Sequence, residues 1–235
     1  MVCWRNIWME NQVDSVVRYP EVSPVFFIGA SLGGVKAFIH LVENLPDDFP
    51  APVFLLLHRI KNSDIKAGDM RMVLQAKTRL TVENAVEGEV VRSGHIYLPP
   101  DNLHIGVEDN RIKFYETPDE SYWRPAIDVM FKSAAREYTD RTVAILLTGN
   151  LDDGVQGLRE TSAQGGITVA QSPEDAYAPY LPLNAVMNDH PSHVLPLKDI
   201  PKLMCELTRH PHFDDQESVA IESAKVAREL KKKLK

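Results

Sequence analysis

Phe26 to Gly34 reads Phe-Phe-Ile-Gly-Ala-Ser-Leu-Gly-Gly, an apolar run that breaks into a serine flanked by glycines. Such a run ahead of glycines predicts a buried strand and a tight turn, and the residues after Gly34 are compatible with a helix. Written as G-x-S-x-G, the turn matches a nucleophile elbow, which raises a serine hydroxyl above the carboxyl end of a sheet. The same turn also suits a structural or phosphate-binding loop, so the motif alone leaves the choice open.

A second apolar run, Pro52–Leu57, follows the predicted helix and ends at His58. Strand, helix and strand in one short span form a βαβ unit, which predicts a parallel sheet. Further strands are expected at 81–82, 95–98, 103–107, 111–115, 142–147 and 167–170, with helices near 69–76, 126–138, 183–189 and 197–209 and one ending near 163. This pattern predicts an α/β fold with a doubly wound, mostly parallel sheet, helices on both faces (three layers, α/β/α) and an antiparallel hairpin at 108–110.

Composition excludes several classes of protein. The 235 residues are 44% hydrophobic and 25% charged, with a formal net charge of −7, which is ordinary for a soluble globular domain. The acidic balance argues against nucleic-acid binding. The first twenty residues contain no continuous apolar stretch, and no run of ~20 apolar residues occurs in the sequence, so we expect no secretory signal, no membrane insertion and a cytoplasmic location. Cys3 and Cys205 lack C-x-x-C spacing, which argues against a disulfide framework or a thiolate metal site.

The chain is predicted to hold one catalytic-size domain over residues 24–210. Residues 1–23 form an N-terminal extension without clear periodicity. Residues 211–235 are highly charged, and their weak apolar stripe predicts a C-terminal helix or tail, with docking to a partner as the alternative.

Three polar groups are expected at the carboxyl ends of parallel strands, where active sites of open α/β sheets lie. They are Ser31 after the first strand, His58 after the second, and the pair Asp152 and Asp153 after the strand at 142–147. A serine nucleophile needs a base to take its proton and an acid to orient that base. One group of each kind on adjoining strand ends predicts a Ser-His-Asp triad.

Two other assignments of these residues fit the sequence less well than the triad. The α/β-hydrolase order Ser…Asp…His would use His190 in place of His58, although His190 lies in a polar turn. A dinucleotide site would need an acidic residue at the end of the second strand, where His58 stands. His95 and His104 are expected to be structural or surface residues. The histidine spacing contains no metal-binding motif, so neither a metal nor a cofactor is predicted.

Several blocks along the chain occur in the order of a known domain. They are Gly29–Gly34, Leu57-His58, Gly94–Pro100, Arg124–Phe131, and Leu147-Thr148-Gly149 with Asp153-Gly154. Together they resemble the catalytic domain of CheB, the chemotaxis protein-glutamate methylesterase, over roughly residues 24–208. The resemblance implies that Ser31 is the nucleophile, His58 the base and Asp153 the acid, with an oxyanion bound by N–H groups near Asn150 and the first helix.

The resemblance also implies an activity and a partner. The implied reaction is hydrolysis of glutamate methyl esters on a methyl-accepting chemotaxis receptor, with glutamine deamidation as a related activity. The family's usual N-terminal receiver domain has no counterpart in these 235 residues, so a stand-alone, monomeric form is expected. The alternatives are an esterase or amidase with another substrate, and a non-catalytic regulatory module that kept the fold.

Three loops depart from the family pattern. Leu32 stands where the family usually has threonine, and Asn150-Leu151-Asp152 replaces the Met-Gly-x of the motif T-G-M-G-x-D-G. Pro179-Tyr180-Leu181-Pro182 replaces the family's F-G-M-P, so Tyr180 fills a glycine position. The loops expected to border the substrate therefore differ from those of the family.

Overall fold

The structure of the protein is a computed structural model that describes residues 23–58, 67–116 and 124–209. Apart from residue 23, the predicted N-terminal extension lies outside the described residues, and so does the predicted C-terminal helix or tail. The described residues contain nine strands and six α-helices. They are β1 (Val25–Ala30), α1 (Gly34–Asn44), β2 (Val53–Leu57), α2 (Ala67–Gln75), β3 (Thr81–Asn84), β4 (His95–Leu98), β5 (His104–Glu108), β6 (Arg111–Tyr115), α3 (Ile127–Tyr138), β7 (Thr142–Leu146), α4 (Val155–Ala163), β8 (Ile167–Gln171), α5 (Tyr180–Asn188), β9 (His193–Leu195) and α6 (Ile200–Arg209).

Seven strands form one sheet in the order β3-β4-β2-β1-β7-β8-β9, and every neighbouring pair is parallel. β1 is the central strand of this sheet. β2, β4 and β3 lie on one side of it, and β7, β8 and β9, which come later in the sequence, lie on the other side. β5 and β6 form a separate antiparallel hairpin. The predicted doubly wound α/β fold is confirmed. Because β1 lies between β2 and β7, the loops after these three strands meet at the switch point where open α/β sheets bind ligands.

Helices cover both faces of the sheet, as the apolar runs predict for strands buried on two sides. Side chains alternate along β1, so that Phe26 and Ile28 belong to the apolar cluster with α1, α2 and α6. Phe27 belongs to the cluster on the other face, with α3, α4, α5 and the hairpin, and its ring stacks on Phe54 at 4.7 Å between centroids. Two cores therefore hold β1 from opposite sides. Within the described residues, no helix is long and apolar enough to cross a membrane.

Two elements differ from the sequence prediction. The short strand β9 was not predicted, since three residues give too little periodicity to register. The helix predicted at 183–189 begins earlier, at Tyr180, with Pro182 inside its first turn. Proline is tolerated there because N–H groups of the first turn have no partner within the helix.

Candidate active site

Ser31 lies in the turn between β1 and α1, at the carboxyl edge of the sheet. Gly33 has a φ of +86°, a left-handed conformation that favours glycine. Gly34 N donates to Ser31 O at 2.9 Å and closes the turn. Ser31 N donates to Thr148 O at 2.9 Å, which ties the turn to the loop after β7. The backbone of the half-buried Ser31 is therefore held from two sides.

His58 follows β2 directly and is only 8% exposed. Ala30 of β1 pairs with Leu57 of β2, and His58 N donates to Ala30 O at 2.9 Å. Ser31 and His58 are thus the first residues beyond a matched pair on neighbouring strands, which lie about 4.8 Å apart in a sheet. The structure places the two residues side by side at the same sheet edge.

Asp153 brings a buried carboxylate to His58 from the loop that follows β7. Its Oδ2 atom lies 2.5 Å from His58 Nε2, and both side chains are almost fully buried. The same carboxylate accepts hydrogen bonds from Ile127 N at 2.8 Å and from Asp128 N at 3.0 Å. These donors are at the start of α3, where free N–H groups and the helix dipole favour an anion. Asp153 is therefore held against the imidazole in a site suited to its negative charge.

Asp128 makes the reciprocal contact with the helix that follows Asp153. Its Oδ1 atom accepts hydrogen bonds from Gly154 N at 3.0 Å and Gly157 N at 2.7 Å, at the start of α4. The N-terminus of α3 thus donates to Asp153, which precedes α4, and the N-terminus of α4 donates to Asp128 of α3. Burial, and then the nearby charge of Asp153, raise the pKa of Asp128 from its ordinary 3.8 to about 6. No sequence pattern assigns a role to Asp128, although it lies in a block that carries the family resemblance.

Thr148 joins the three loops at this edge of the sheet. Its hydroxyl donates to Leu32 O at 2.9 Å and accepts from Ala178 N at 2.8 Å, so it bridges the serine turn and the loop after β8. Its own N–H donates to Gln171 Oε1 at 2.9 Å. No sequence pattern assigns a role to Thr148 or Gln171, because only the folded chain brings their partners together.

The loop after β7 contains a leucine in an unfavourable backbone conformation. Leu151 has a φ of +67°, and a non-glycine residue in this left-handed region is destabilised by roughly 1–2 kcal/mol. Its side chain is nevertheless 55% exposed, so packing does not offset the strain. Asn184 Nδ2 donates to Leu151 O at 2.8 Å and holds this backbone in place.

The alternative histidines lie elsewhere. His190 is exposed in the turn after α5, and α5 leads from the end of β8 back to the start of the parallel strand β9. His190 is therefore at the opposite edge of the sheet from Ser31. His104 is buried and accepts a hydrogen bond from Ala126 N at 3.1 Å, which is a structural role. No three His, Cys, Asp or Glu side chains cluster as metal ligands in the part of the chain that the structure describes.

Comparison with known proteins relates this chain to one family. The family model described as CheB methylesterase matches residues 26–204. A Leptospira interrogans protein, whose name assigns it provisionally as a protein-glutamate methylesterase/protein-glutamine glutaminase, is 32% identical over 184 residues, 78% of this chain and 94% of its own length. The protein-glutamate methylesterase/protein-glutamine glutaminase of Thermotoga maritima is 31% identical over 81% of this chain, but only 56% of that longer protein is covered.

A solved structure is similar to the fold as well as to the sequence. The crystal structure of the Thermotoga maritima CheB methylesterase catalytic domain superposes with a TM-score of 0.73 at 29% identity. The match covers 79% of this chain and 98% of that domain.

Proposed function

The chain belongs to the CheB methylesterase family of hydrolases, and from this premise we propose that it hydrolyses glutamate methyl esters on a chemoreceptor through Ser31, His58 and Asp153. The observation that supports the proposal most is the buried contact between His58 and Asp153, directly beside the turn that carries Ser31. Deamidation of glutamine in the same protein substrate is the second proposed reaction, because an amide and an ester pass through the same type of tetrahedral intermediate.

The proposed mechanism begins with attack of Ser31 Oγ on the ester carbonyl. Because His58 Nε2 faces Asp153 at 2.5 Å, its proton is best placed on Nε2, which leaves Nδ1 as the lone pair that takes the serine proton. Asp153 then stabilises the imidazolium, and the two backbone donors from α3 hold the carboxylate in its orientation.

The oxyanion of the tetrahedral intermediate is assigned to backbone N–H groups, those of Leu32 after the nucleophile and of Asn150 in the loop after β7. Collapse of this intermediate breaks the bond to the methoxide, which leaves as methanol with the proton from His58. Water, deprotonated by His58, then hydrolyses the acyl-serine and releases the glutamate carboxylate.

We also propose that residues 24–210 form the catalytic unit and that the protein acts as a monomer in the cytoplasm. Limited proteolysis that leaves a stable fragment with these bounds, together with sedimentation of the intact chain, tests the first two statements.

The proposed reaction is tested by methanol release from a methylated chemoreceptor. The wild-type chain is expected to release methanol, and Ser31→Ala to lose at least ~10³-fold in rate. Ser162→Ala, an exposed serine on α4, is the matched control and should behave as wild type. Equal rates for wild type and Ser31→Ala would refute the mechanism.

The second candidate function is hydrolysis of a different ester, which the altered loops at 150–152 and 179–182 favour. Hydrolysis of small esters without methanol release from any methylated receptor would support this candidate. A serine-directed fluorophosphonate that labels neither the wild type nor Ser31→Ala would instead favour a non-catalytic module.

A further inference from the structure

Four large hydrophobic side chains are exposed around the serine turn. They are Leu32 (53% exposed), Leu151 (55%), Tyr177 (75%) and Tyr180 (63%), named here the apolar rim. They follow the carboxyl ends of the three neighbouring strands β1, β7 and β8, so they border the edge on which Ser31 lies. Isolated exposed hydrophobic residues are ordinary, but a group gathered at one site marks a binding surface.

Hydrogen bonds and packing hold the apolar rim in place. The Thr148 hydroxyl links Leu32 O to Ala178 N, so it joins Leu32 to the segment between Tyr177 and Tyr180. A methyl group built on Gly33 would lie 2.9 Å from Tyr177 Cδ1, so this ring sits close to the serine turn. Leu181 N donates to Gly149 O at 2.8 Å and brings Tyr180 beside the loop that carries Leu151. Side chains positioned in this way lose little freedom when they bind a partner.

Folding does not account for the apolar rim. Leu151 is exposed and has a left-handed backbone that glycine would adopt without strain. Strain that packing does not offset is typical of functional sites. Leu32, Leu151 and Tyr180 are also among the positions at which the chain departs from the family pattern, and at these three a large apolar residue replaces threonine, glycine and glycine, respectively.

We propose that the apolar rim selects protein substrates with large aliphatic or aromatic side chains next to the esterified glutamate. This inference rests on the proposed function, because an ester bound at Ser31 brings the residues on either side of it onto the rim. Such side chains lose their hydration against apolar surface, whereas polar ones would give up hydrogen bonds to water without replacement. The exposed Asp152, next to Leu151, further disfavours acidic flanking residues.

Two synthetic peptides test the proposal. Each carries one glutamate γ-methyl ester, flanked by leucines in the first peptide and by serines in the second. The wild-type chain is expected to hydrolyse the leucine peptide with a kcat/KM about 10- to 100-fold higher, carried mainly by KM, since pocket contacts of this size discriminate by such factors.

A rim variant with Leu32→Thr, Leu151→Gly and Tyr180→Ala is expected to bring the ratio of the two kcat/KM values to near one. Val86→Thr changes an exposed hydrophobic residue outside the rim and is the matched control, which should keep the wild-type ratio. Circular dichroism checks that the rim variant is folded, and Leu151→Gly by itself relieves backbone strain.

The outcomes separate the two proposals. Equal hydrolysis of both peptides by the wild type, or a rim variant that keeps the wild-type ratio, overturns the rim proposal and leaves the proposed function standing. Hydrolysis of neither peptide overturns the proposed function and the rim proposal with it. A wild-type dimer that the rim variant converts to a monomer in sedimentation would assign the rim to self-association and also overturn the proposal.

Discussion

Replacing Asp128 by asparagine tests whether ionisation of this buried carboxyl group destabilises the folded protein. Its pKa in the folded protein is about 6 instead of 3.8, because burial and the charge of Asp153 disfavour ionisation. The folded state therefore binds the proton more tightly than the unfolded state. By proton linkage, the contribution of Asp128 to the free energy of unfolding is greatest below pH 4 and falls as the pH rises through 6.

The size of the effect follows from the same two pKa values. Between pH 5 and pH 8, the contribution of Asp128 to the free energy of unfolding should fall by about 1 kcal/mol, and between pH 4 and pH 8 by about 2 kcal/mol. Asparagine keeps an oxygen that can accept from Gly154 N and Gly157 N but carries no charge. Asp128→Asn should therefore match wild type in acid and become more stable than wild type by roughly these amounts at pH 8.

The assay is urea unfolding followed by circular dichroism at pH 5, 6.5 and 8. Subtracting the wild-type value from the variant value at each pH cancels the titration of other groups, including Asp189, whose pKa burial also raises to about 6. A difference that stays constant with pH, or that shrinks as the pH rises, would refute the reasoning.

Asp128→Ala separates the charge from the hydrogen bonds. This variant removes the acceptor at the start of α4 and leaves two buried N–H groups without it. It should be less stable than Asp128→Asn at every pH, by about 2–4 kcal/mol. Equal stability of the alanine and asparagine variants would show that the hydrogen bonds to α4 contribute nothing.

Three further substitutions probe the site. Gly149→Ala should lower kcat about 10- to 100-fold in methanol-release assays, because its Cβ would lie 2.8 Å from Ser31 Cβ and displace this proposed nucleophile; an unchanged kcat would contradict this packing. Thr148→Val should lower the free energy of unfolding by about 1–3 kcal/mol in urea titrations, whereas Thr148→Ser keeps the hydroxyl and serves as control. Asp153→Asn removes the charge that faces His58 and should lower kcat by about 10³–10⁴-fold; a loss below tenfold would exclude Asp153 from the proposed triad.

The position of the candidate site could be predicted because it depends on sheet architecture. Long apolar runs identify the central strands, and parallel strands bring their carboxyl ends to one edge. Polar residues placed directly after such runs, Ser31 and His58, therefore had to lie near each other once β1 and β2 were neighbours. The same argument favours His58 over His190. His190 lies in a polar turn, and such a turn does not specify at which edge of the sheet its residues lie.

The contacts that hold the site could not be predicted, because they join segments that are distant in sequence. Asp153 accepts from the N-terminus of α3, and Asp128 accepts from the N-terminus of α4. The periodicity of neither segment predicts this pair of contacts. The Thr148 hydroxyl likewise acts between two loops whose separation only the folded chain defines. The left-handed conformation of Leu151 could not be predicted either, because leucine rarely adopts it.

The central position of β1 has a consequence for the order in which the protein matures during synthesis. β1 and β2 emerge from the ribosome before β7 and can pair with each other, but the other edge of β1 stays open until β7 is made. An open edge of this kind is a template for unwanted strand pairing. Asp153 emerges later still, so the nascent chain carries Ser31 and His58 without the carboxylate that faces His58 until the loop after β7 is made. Esterase activity should therefore appear only after the second half of the sheet has closed around β1.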